Sequence, residues 1–326
     1  MATSDVESIS ESILGRIQRM HATEWMPAPR AATIELLADG TYHANFVVRS
    51  IDRQFVARYN RSSQWGLSSA DQLAREFRVL LDLSSSAATP TPLAFETETD
   101  HPFLLESFVD GKKFDYETDL EACAVAIATT HRCAPRASAS VLPRVSPTQF
   151  LLDDGVDWIR RVGSSPVRLE TVTHLAEAER RLRTQDAVLD SPWVIVHTDL
   201  IQPNILRTPE RCVLVDWEGA KLGPRAWDLA YFLSPVTLCW ADPPPVTIGD
   251  ERRRAFLQAY ADTASIGLES LEHEVNTISP YVIFRAIAWC AGYAASESDI
   301  SRRARDTIAY LCDPGFIDEH LLRGIR

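Results

Sequence analysis

The chain has 326 residues, 45% hydrophobic and 24% charged, an ordinary globular balance at a length that favours two packed lobes over one core. Its formal net charge of −12, from 33 basic and 45 acidic side chains, argues against nucleic acid or an anionic membrane as partner and is compatible with a cationic small molecule. Six cysteines (Cys123, Cys133, Cys212, Cys239, Cys290 and Cys312) are far apart with no C-x-x-C pair, so reduced thiols are expected rather than a zinc site or a disulfide scaffold.

At the N-terminus Val6, Ile9, Ile13, Leu14 and Ile17 recur at helical spacing behind Ser4 or Asp5 as cap, predicting an amphipathic helix over 6–20. Asp5, Glu7 and Glu11 interrupt any apolar stretch of the kind a signal peptide needs, and a cytoplasmic location is expected. Three β-prone runs, Ala32 to Leu37, Asn45 to Ile51 and Gln54 to Tyr59, are separated by the turn pairs Asp39-Gly40 and Asp52-Arg53, the pattern of an antiparallel meander. The helix DQLAREFRVLLDL follows, with Glu76 on the face away from Leu73, Phe77 and Leu80. After a Ser/Pro-rich loop from Ser84 to Pro92, two more strands are expected over Leu93 to Glu96 and Pro102 to Phe108, the second ended by Asp110-Gly111. Helices are predicted over Leu120 to His131, Thr148 to Arg161 and Leu169 to Arg183, with an irregular stretch at 135–147. The tail reads as helices over Arg252 to Thr263, Glu274 to Ala295 and Ser301 to Leu311. Its best apolar run, Tyr281 to Ala295, is too short to span a bilayer and contains Arg285.

The densest chemistry lies between Trp193 and Glu218. An apolar strand, Trp193 to Val196, delivers His197 and Asp199 into a loop, and Asn204 follows Asp199 by five residues, an H-x-D-x-x-x-x-N pattern. A β-branched run, Cys212 to Val215, presents Asp216 at its end, and pairing of these two runs in a hairpin would bring the carboxylates and the amide together. Transfer of a nucleotide's terminal phosphoryl group to a hydroxyl needs this kind of set. Asp199 would accept the proton of the attacking hydroxyl, Asn204 and Asp216 would supply hard oxygen ligands to Mg²⁺, and His197 would brace the loop.

The segments HTDLIQPN and LVDWEGAKLGPRAWDLAYFL resemble the aminoglycoside phosphotransferase and choline kinase family, which has a protein-kinase-like fold. That family reads H-G-D at the loop, so Thr198 departs from it. The resemblance implies an α+β fold of two lobes. Residues 1–106 would form a nucleotide-covering antiparallel-sheet lobe and 107–326 a mostly helical catalytic and acceptor-binding lobe. No lysine precedes Lys112, so Arg58 and Glu76 are matched to the family's phosphate-holding lysine and its glutamate, unless they form no more than a surface ion pair. Backbone around Gly40 to His43 would meet the phosphates, or else be an ordinary hairpin turn. Backbone at Ser107 and Val109 would read the adenine edge. His131 is matched to a structural histidine and Asp228 to the aspartate that braces the loop from beneath. Glu218 either reaches metal-bound water or an acceptor amine, or is simply solvated. The implied activity is Mg²⁺-dependent transfer from ATP or GTP to a small-molecule hydroxyl, in an antibiotic or related natural product, or in a metabolite such as choline, a sugar or a nucleoside. The arginine in place of lysine also keeps a nucleotide-binding pseudokinase open.

Overall fold

The computed structural model describes residues 3–20, 31–40, 42–51, 53–63, 66–162, 169–185, 191–244, 246–296 and 301–325. The alternation between Ala32 and Tyr59 becomes three strands, β1 (Thr33–Asp39), β2 (His43–Arg49) and β3 (Gln54–Asn60). With β4 (Pro92–Glu96) and β5 (Phe103–Ser107) they form one antiparallel sheet in the order β1-β2-β3-β5-β4. Asp52 of the expected second turn, and Thr41 within the backbone expected to meet the phosphates, lie outside the described residues.

Directly paired residues share a sheet face, and the period of two separates the faces by polarity. Ala44, Phe46, Val48, Phe55, Ala57, Phe103 and Leu105 are buried on one face against Ile9, Ile13 and Ile17 of α1 (Thr3–Ile17). The other carries His43, Asn45, Val47, Val56, Arg58, Leu104 and Glu106. A slip of one residue would push Arg58 and Glu106 into the apolar side, so register is set strongly here.

The helix α2 (Ser69–Leu83) starts where the Ser68 hydroxyl accepts the Asp71 N–H at 3.1 Å. Its buried stripe differs from the expected one, because Gln72, Arg75 and Glu76 are buried along with Leu73 and Leu80, and Phe77 is only half-buried. Each of the three polar side chains has a partner inside. Gln72 Nε2 donates to the Glu218 carbonyl at 2.9 Å, Arg75 donates to the Ala220 carbonyl, and Glu76 meets Arg58.

Strand pairing in the central stretch also differs from expectation. The strand β7 (Trp193–Val196) pairs with β10 (Lys221–Pro224), while β9 (Cys212–Leu214) pairs with β8 (Ile205–Arg207). A tight turn closed between Thr208 N–H and the Arg211 carbonyl (2.9 Å) joins β8 to β9 locally, so β9 is satisfied before it could reach β7.

The chain divides into two compact units. The first takes Met1–Lys112, Cys133–Leu142 and Leu206–Ala220, so it runs past Glu106 and recruits two later segments. Asp82 at the end of α2 holds one of these, accepting the N–H groups of Arg136, Ala137 and Ser138 at 2.9, 2.8 and 2.8 Å and the Ser138 hydroxyl at 2.6 Å. The second unit takes Lys113–Arg132, Pro143–Ile205 and Lys221–Arg326. Between the units' sequences lies the two-residue strand β6 (Lys112–Lys113). Helices dominate the second unit: α3 (Leu120–His131), α4 (Pro147–Arg161), α5 (Leu169–Arg183), α6 (Ala226–Phe232), α7 (Pro235–Cys239), α8 (Asp250–Ala264), α9 (Leu268–Ser296), α10 (Arg302–Leu311) and α11 (Pro314–Ile317). The α4 and α9 backbones approach through glycines: a Cβ at Gly292 would lie 2.5 Å from the Trp158 carbonyl oxygen, and one at Gly155 would lie 2.5 Å from the Phe284 ring. Among the described residues, no helix is long and apolar enough to cross a membrane.

Candidate active site

In the second unit, β7 ends at Val196 and the chain turns into the loop that holds Asp199. The loop is gripped by one face of α6. Asp228, 1% exposed, accepts the backbone N–H groups of His197 at 2.7 Å and Thr198 at 2.8 Å, and also contacts His131 Nε2 at 3.1 Å. His131 in turn meets the Tyr260 hydroxyl at 2.7 Å, so the brace is anchored on α3 and α8. His197 is fully buried, and its Nδ1 accepts the Asp199 N–H at 3.4 Å.

Both oxygens of Asp199 are oriented. Oδ1 accepts the Tyr231 hydroxyl at 3.0 Å and Oδ2 accepts Asn204 Nδ2 at 3.2 Å, while the same Nδ2 donates to the Asp199 carbonyl at 2.9 Å. Burial, reinforced by the Asp199 charge, holds the Tyr231 phenol well above its ordinary pKa, so it remains a donor. These contacts fix the orientation of a carboxylate, the group that would take a hydroxyl proton. Asn204 Nδ2 is committed twice to Asp199, and the amide oxygen is the kind of atom a hard cation uses.

Thr198 takes a φ of +70°, the left-handed region in which a β-branched side chain is strained. The double grip of Asp228 enforces that conformation. Replacing Thr198 by Gly should therefore stabilise the fold by up to ~1 kcal/mol, after the extra unfolded-state freedom of glycine is counted. A fall in the urea midpoint of Thr198→Gly would show that the threonine side chain contributes more than the strain it carries.

In the first unit Arg58 is the centre of a charge cluster and only 3% exposed. Its Nε lies 3.1 and 3.2 Å from the two oxygens of Glu76, Nη2 donates to Asp216 Oδ1, and the same Nη2 is 3.1 Å from His43 Nδ1 and 3.7 Å from Glu218 Oε2. His43 completes the ring, with Nε2 3.4 Å from Asp216 Oδ2 and Nδ1 3.4 Å from Glu218 Oε2. The Arg58–Glu76 contact is thus a buried pair and not a surface one. Burial alone would lower the guanidinium pKa, but Asp216, Glu76 and Glu218 hold it above its ordinary value. Burial pushes the Glu76 carboxyl up to about 7 despite Arg58, and burial with the Glu76 charge pushes Glu106 up to about 8.

These raised carboxyls make stability depend on pH. Their contribution is full below the ordinary carboxylate value of 4.5 and is lost as pH rises through about 7 for Glu76 and about 8 for Glu106. The ligand-free protein should therefore lose stability toward alkaline pH. Glu106→Gln, which removes the ionisation faced by Glu76, Arg58 and Asp216, should flatten that slope in denaturant titrations between about pH 6 and about pH 9. An equal slope in the variant would assign the dependence to another group.

Gly40 is not part of this cluster: its N–H donates to the His43 carbonyl at 2.9 Å and its carbonyl accepts Arg61 Nη1 at 3.1 Å. Ser107 closes β5, with its N–H donating to the Thr91 carbonyl and its hydroxyl accepting the Thr91 N–H, both at 2.9 Å. Two residues on, the Val109 carbonyl accepts from Gly111 at 3.0 Å.

Residues 33–271, well over half of the chain, match the profile of the Phosphotransferase enzyme family. The chain belongs to that family. No curated protein matches this phosphotransferase in sequence. Among solved structures it is similar to choline kinase from Cryptosporidium parvum Iowa II, with 16% identity over 95% of this chain and 96% of that one and a TM-score of 0.67. A choline/ethanolamine kinase family protein from Mesorhizobium loti gives 16% identity, 98% and 99% coverage and a TM-score of 0.65. The ADP-bound aminoglycoside phosphotransferase APH(2'')-Ib gives 16%, 94% and 97%, and 0.60. The fold is therefore kinase-like, α+β, with an antiparallel-sheet N-terminal region and a helical C-terminal region, and the chain is a phosphotransferase.

Three participants escaped the sequence reading. Tyr231 was within reach of it: at i+3 from Asp228 it lies on the same face of α6, so one helical turn holds three consecutive loop residues. His43 and Glu106 carried no such signal, because their roles depend on which strands pair and on which face each side chain falls.

Proposed function

We propose that this kinase transfers the terminal phosphate of ATP or GTP to a hydroxyl of a small natural product of the aminoglycoside type. The observation that carries the reading is Asp199, held at both oxygens by Tyr231 and Asn204 in the orientation a general base for the attacking hydroxyl needs. Arg58 would hold a phosphate oxygen while Glu76 keeps the guanidinium aimed. Hard oxygen donors are present for Mg²⁺ in the Asn204 amide and, beside Arg58, in the Asp216 and Glu218 carboxylates. Ligand atoms of His43, Asp216 and Glu218 lie within 4.8 Å of one another, and of these the two carboxylates suit Mg²⁺ better than the imidazole. When bound by Asn204 and Asp216, Mg²⁺ would supply charge neutralisation at the phosphates.

A second reading, a compact amino-alcohol acceptor such as choline, is favoured by one feature. On α9, Arg285, Trp289 and Tyr293 follow at helical steps of four, Arg285 paired to Asp154 at 2.7 Å, and Trp289 stacks on Tyr293 at 5.0 Å and meets Trp240 edge-on at 6.3 Å. These half-buried rings could face a quaternary ammonium. A pooled screen of hydroxyl-bearing antibiotics and metabolites for ADP or GDP release tests both readings. Acceptor-dependent release by an aminoglycoside supports the first and by an amino-alcohol the second; no release with any acceptor, with nucleotide and Mg²⁺ present, would count against the activity.

A further inference from the structure

We propose that Gln202 is a positioning residue that ties the loop of Asp199 to the segment 240–242 beside the acceptor, so that the base and the acceptor are placed together. This assignment rests on the reading of Asp199 as the base and of the Trp240, Trp289 and Tyr293 rings as the acceptor's side. All of these residues belong to the second unit.

Gln202 stands between Asp199 and Asn204, where the main chain has little freedom. The Asp199 carbonyl accepts the Ile201 N–H at 3.0 Å and Asn204 Nδ2 at 2.9 Å, and the Ile201 carbonyl accepts the Asn204 N–H at 3.0 Å. Gln202 is buried, and both ends of its amide meet main chain from distant parts of the unit. Nε2 donates to the Phe114 carbonyl at 2.8 Å, and Oε1 accepts the Asp242 N–H at 2.7 Å. The amide can sit only one way round, because an N–H donates and a carbonyl accepts. A carboxylate in its place would set oxygen against oxygen at Phe114.

The two partners have different surroundings. Phe114 is buried, edge-on to Tyr116 at 4.9 Å and to Phe232 at 5.8 Å, and Phe232 belongs to α6, whose Asp228 and Tyr231 already hold the loop. That bond is a second anchor on the same helix. The bond to Asp242 leads elsewhere. Lys113 Nζ donates to the Asp242 carbonyl at 2.8 Å and to its Oδ2 at 2.6 Å, while Arg303 Nη2 donates to the Ala241 carbonyl at 2.6 Å and Nη1 lies 3.3 Å from Asp242 Oδ1. Trp240, two residues back, meets Trp289 edge-on at 6.3 Å. A shift of Trp240 is thus passed through Asp242 and Gln202 to the turn that carries Asp199. Misplacing the reacting groups by about 1 Å can cost ~10²-fold in rate, so such a tie bears on transfer.

The test uses Gln202→Met, which keeps the length of the side chain and removes both bonds, and Arg303→Ala, which loosens 240–242 from its half-exposed side. With kanamycin and choline as acceptors, Gln202→Met should lower acceptor kcat/KM by ~10- to 100-fold. Calorimetric nucleotide affinity and the slow transfer to water should stay within ~3-fold of wild type, since neither uses the acceptor's side. Equal losses in transfer to acceptor and to water would reduce Gln202 to a structural member of the loop and overturn the proposal. Gln202→Glu keeps an acceptor for the Asp242 N–H and should recover part of the loss. Combined with Gln202→Met, Arg303→Ala should add much less than it costs alone, because the tie it acts through is already cut. Independent, multiplying effects would overturn the coupling. Hydrogen exchange of the ligand-free protein reads the same tie without any substrate: Arg303→Ala should speed exchange of the amides at 199–204 when Gln202 is present. No acceleration there would overturn the proposal even if Gln202→Met failed to fold. Absence of transfer to either acceptor would instead strike the proposed activity, with the tie still decided by exchange.

Discussion

Asp199→Asn should retain the fold and nucleotide binding while slowing phosphate transfer by ~10²- to 10⁴-fold, the span expected when a positioned general base is removed. The amide is nearly isosteric, and its oxygen can still accept the Tyr231 hydroxyl that now bonds Oδ1 at 3.0 Å. Its nitrogen, however, would face Asn204 Nδ2, donor against donor, where the carboxylate now accepts at 3.2 Å. A small loss of loop order is therefore expected beside the loss of basicity. The two separate in kinetics: removal of the base lowers kcat with the nucleotide KM nearly unchanged, whereas loop disorder would raise KM for both substrates. Wild-type turnover by the variant would end the assignment of Asp199 as proton acceptor.

Arg58→Ala should be the most damaging change in the first unit. Breaking a buried pair by removing one member costs ~3–5 kcal/mol, because the remaining charge is left uncompensated. Here Glu76, Asp216 and Glu218 all lose their guanidinium. The cost should shrink below about pH 6, where Glu76, already raised to about 7, takes up a proton instead. In the fraction that remains folded, nucleotide KM should rise and kcat should fall together. Arg58→Lys should recover part of the loss despite lacking the planar fork. Because Glu76 is left buried without its partner in the single variant, Arg58→Ala combined with Glu76→Gln should cost much less than the sum of the two changes. Denaturant midpoints at two pH values and steady-state kinetics check these effects; near-wild-type kinetics in Arg58→Ala would mean that another group holds the phosphates.

The individual strands and helices and the loop that carries Asp199 and Asn204 could be read in the sequence because local spacing encodes them: β-branched alternation, helical periodicity and a short run of polar residues between apolar ones. Partners separated by a hundred residues or more could not. Hairpin pairing of Trp193 to Val196 with Cys212 to Val215 looked natural in one dimension, yet each strand found another mate, because Ile205 to Arg207 was a nearer competitor for one of them. Burial of Gln72 and Arg75 was hidden because their hydrogen-bond partners lie far off in the stretch 218–220, so the helix reads as amphipathic in a direction that the fold does not use. Glu106 looked like any strand-end glutamate until its face of the sheet was known.

The interleaving of the first unit has a consequence for biosynthesis. Its sheet and α2 are complete in the nascent chain at Lys112, but the segment that brings Asp216, Glu218 and the carbonyls bonded by Gln72 and Arg75 begins only at Leu206. At translation speeds of about 5–20 residues per second, that interval lasts on the order of 5–20 s. During it, Arg58 has only Glu76 and His43 as partners and α2 has an unfilled polar stripe, so a ribosome-tethered fragment ending at Lys112 should be protease-sensitive. Protection should arrive abruptly once Ala220 has cleared the exit tunnel.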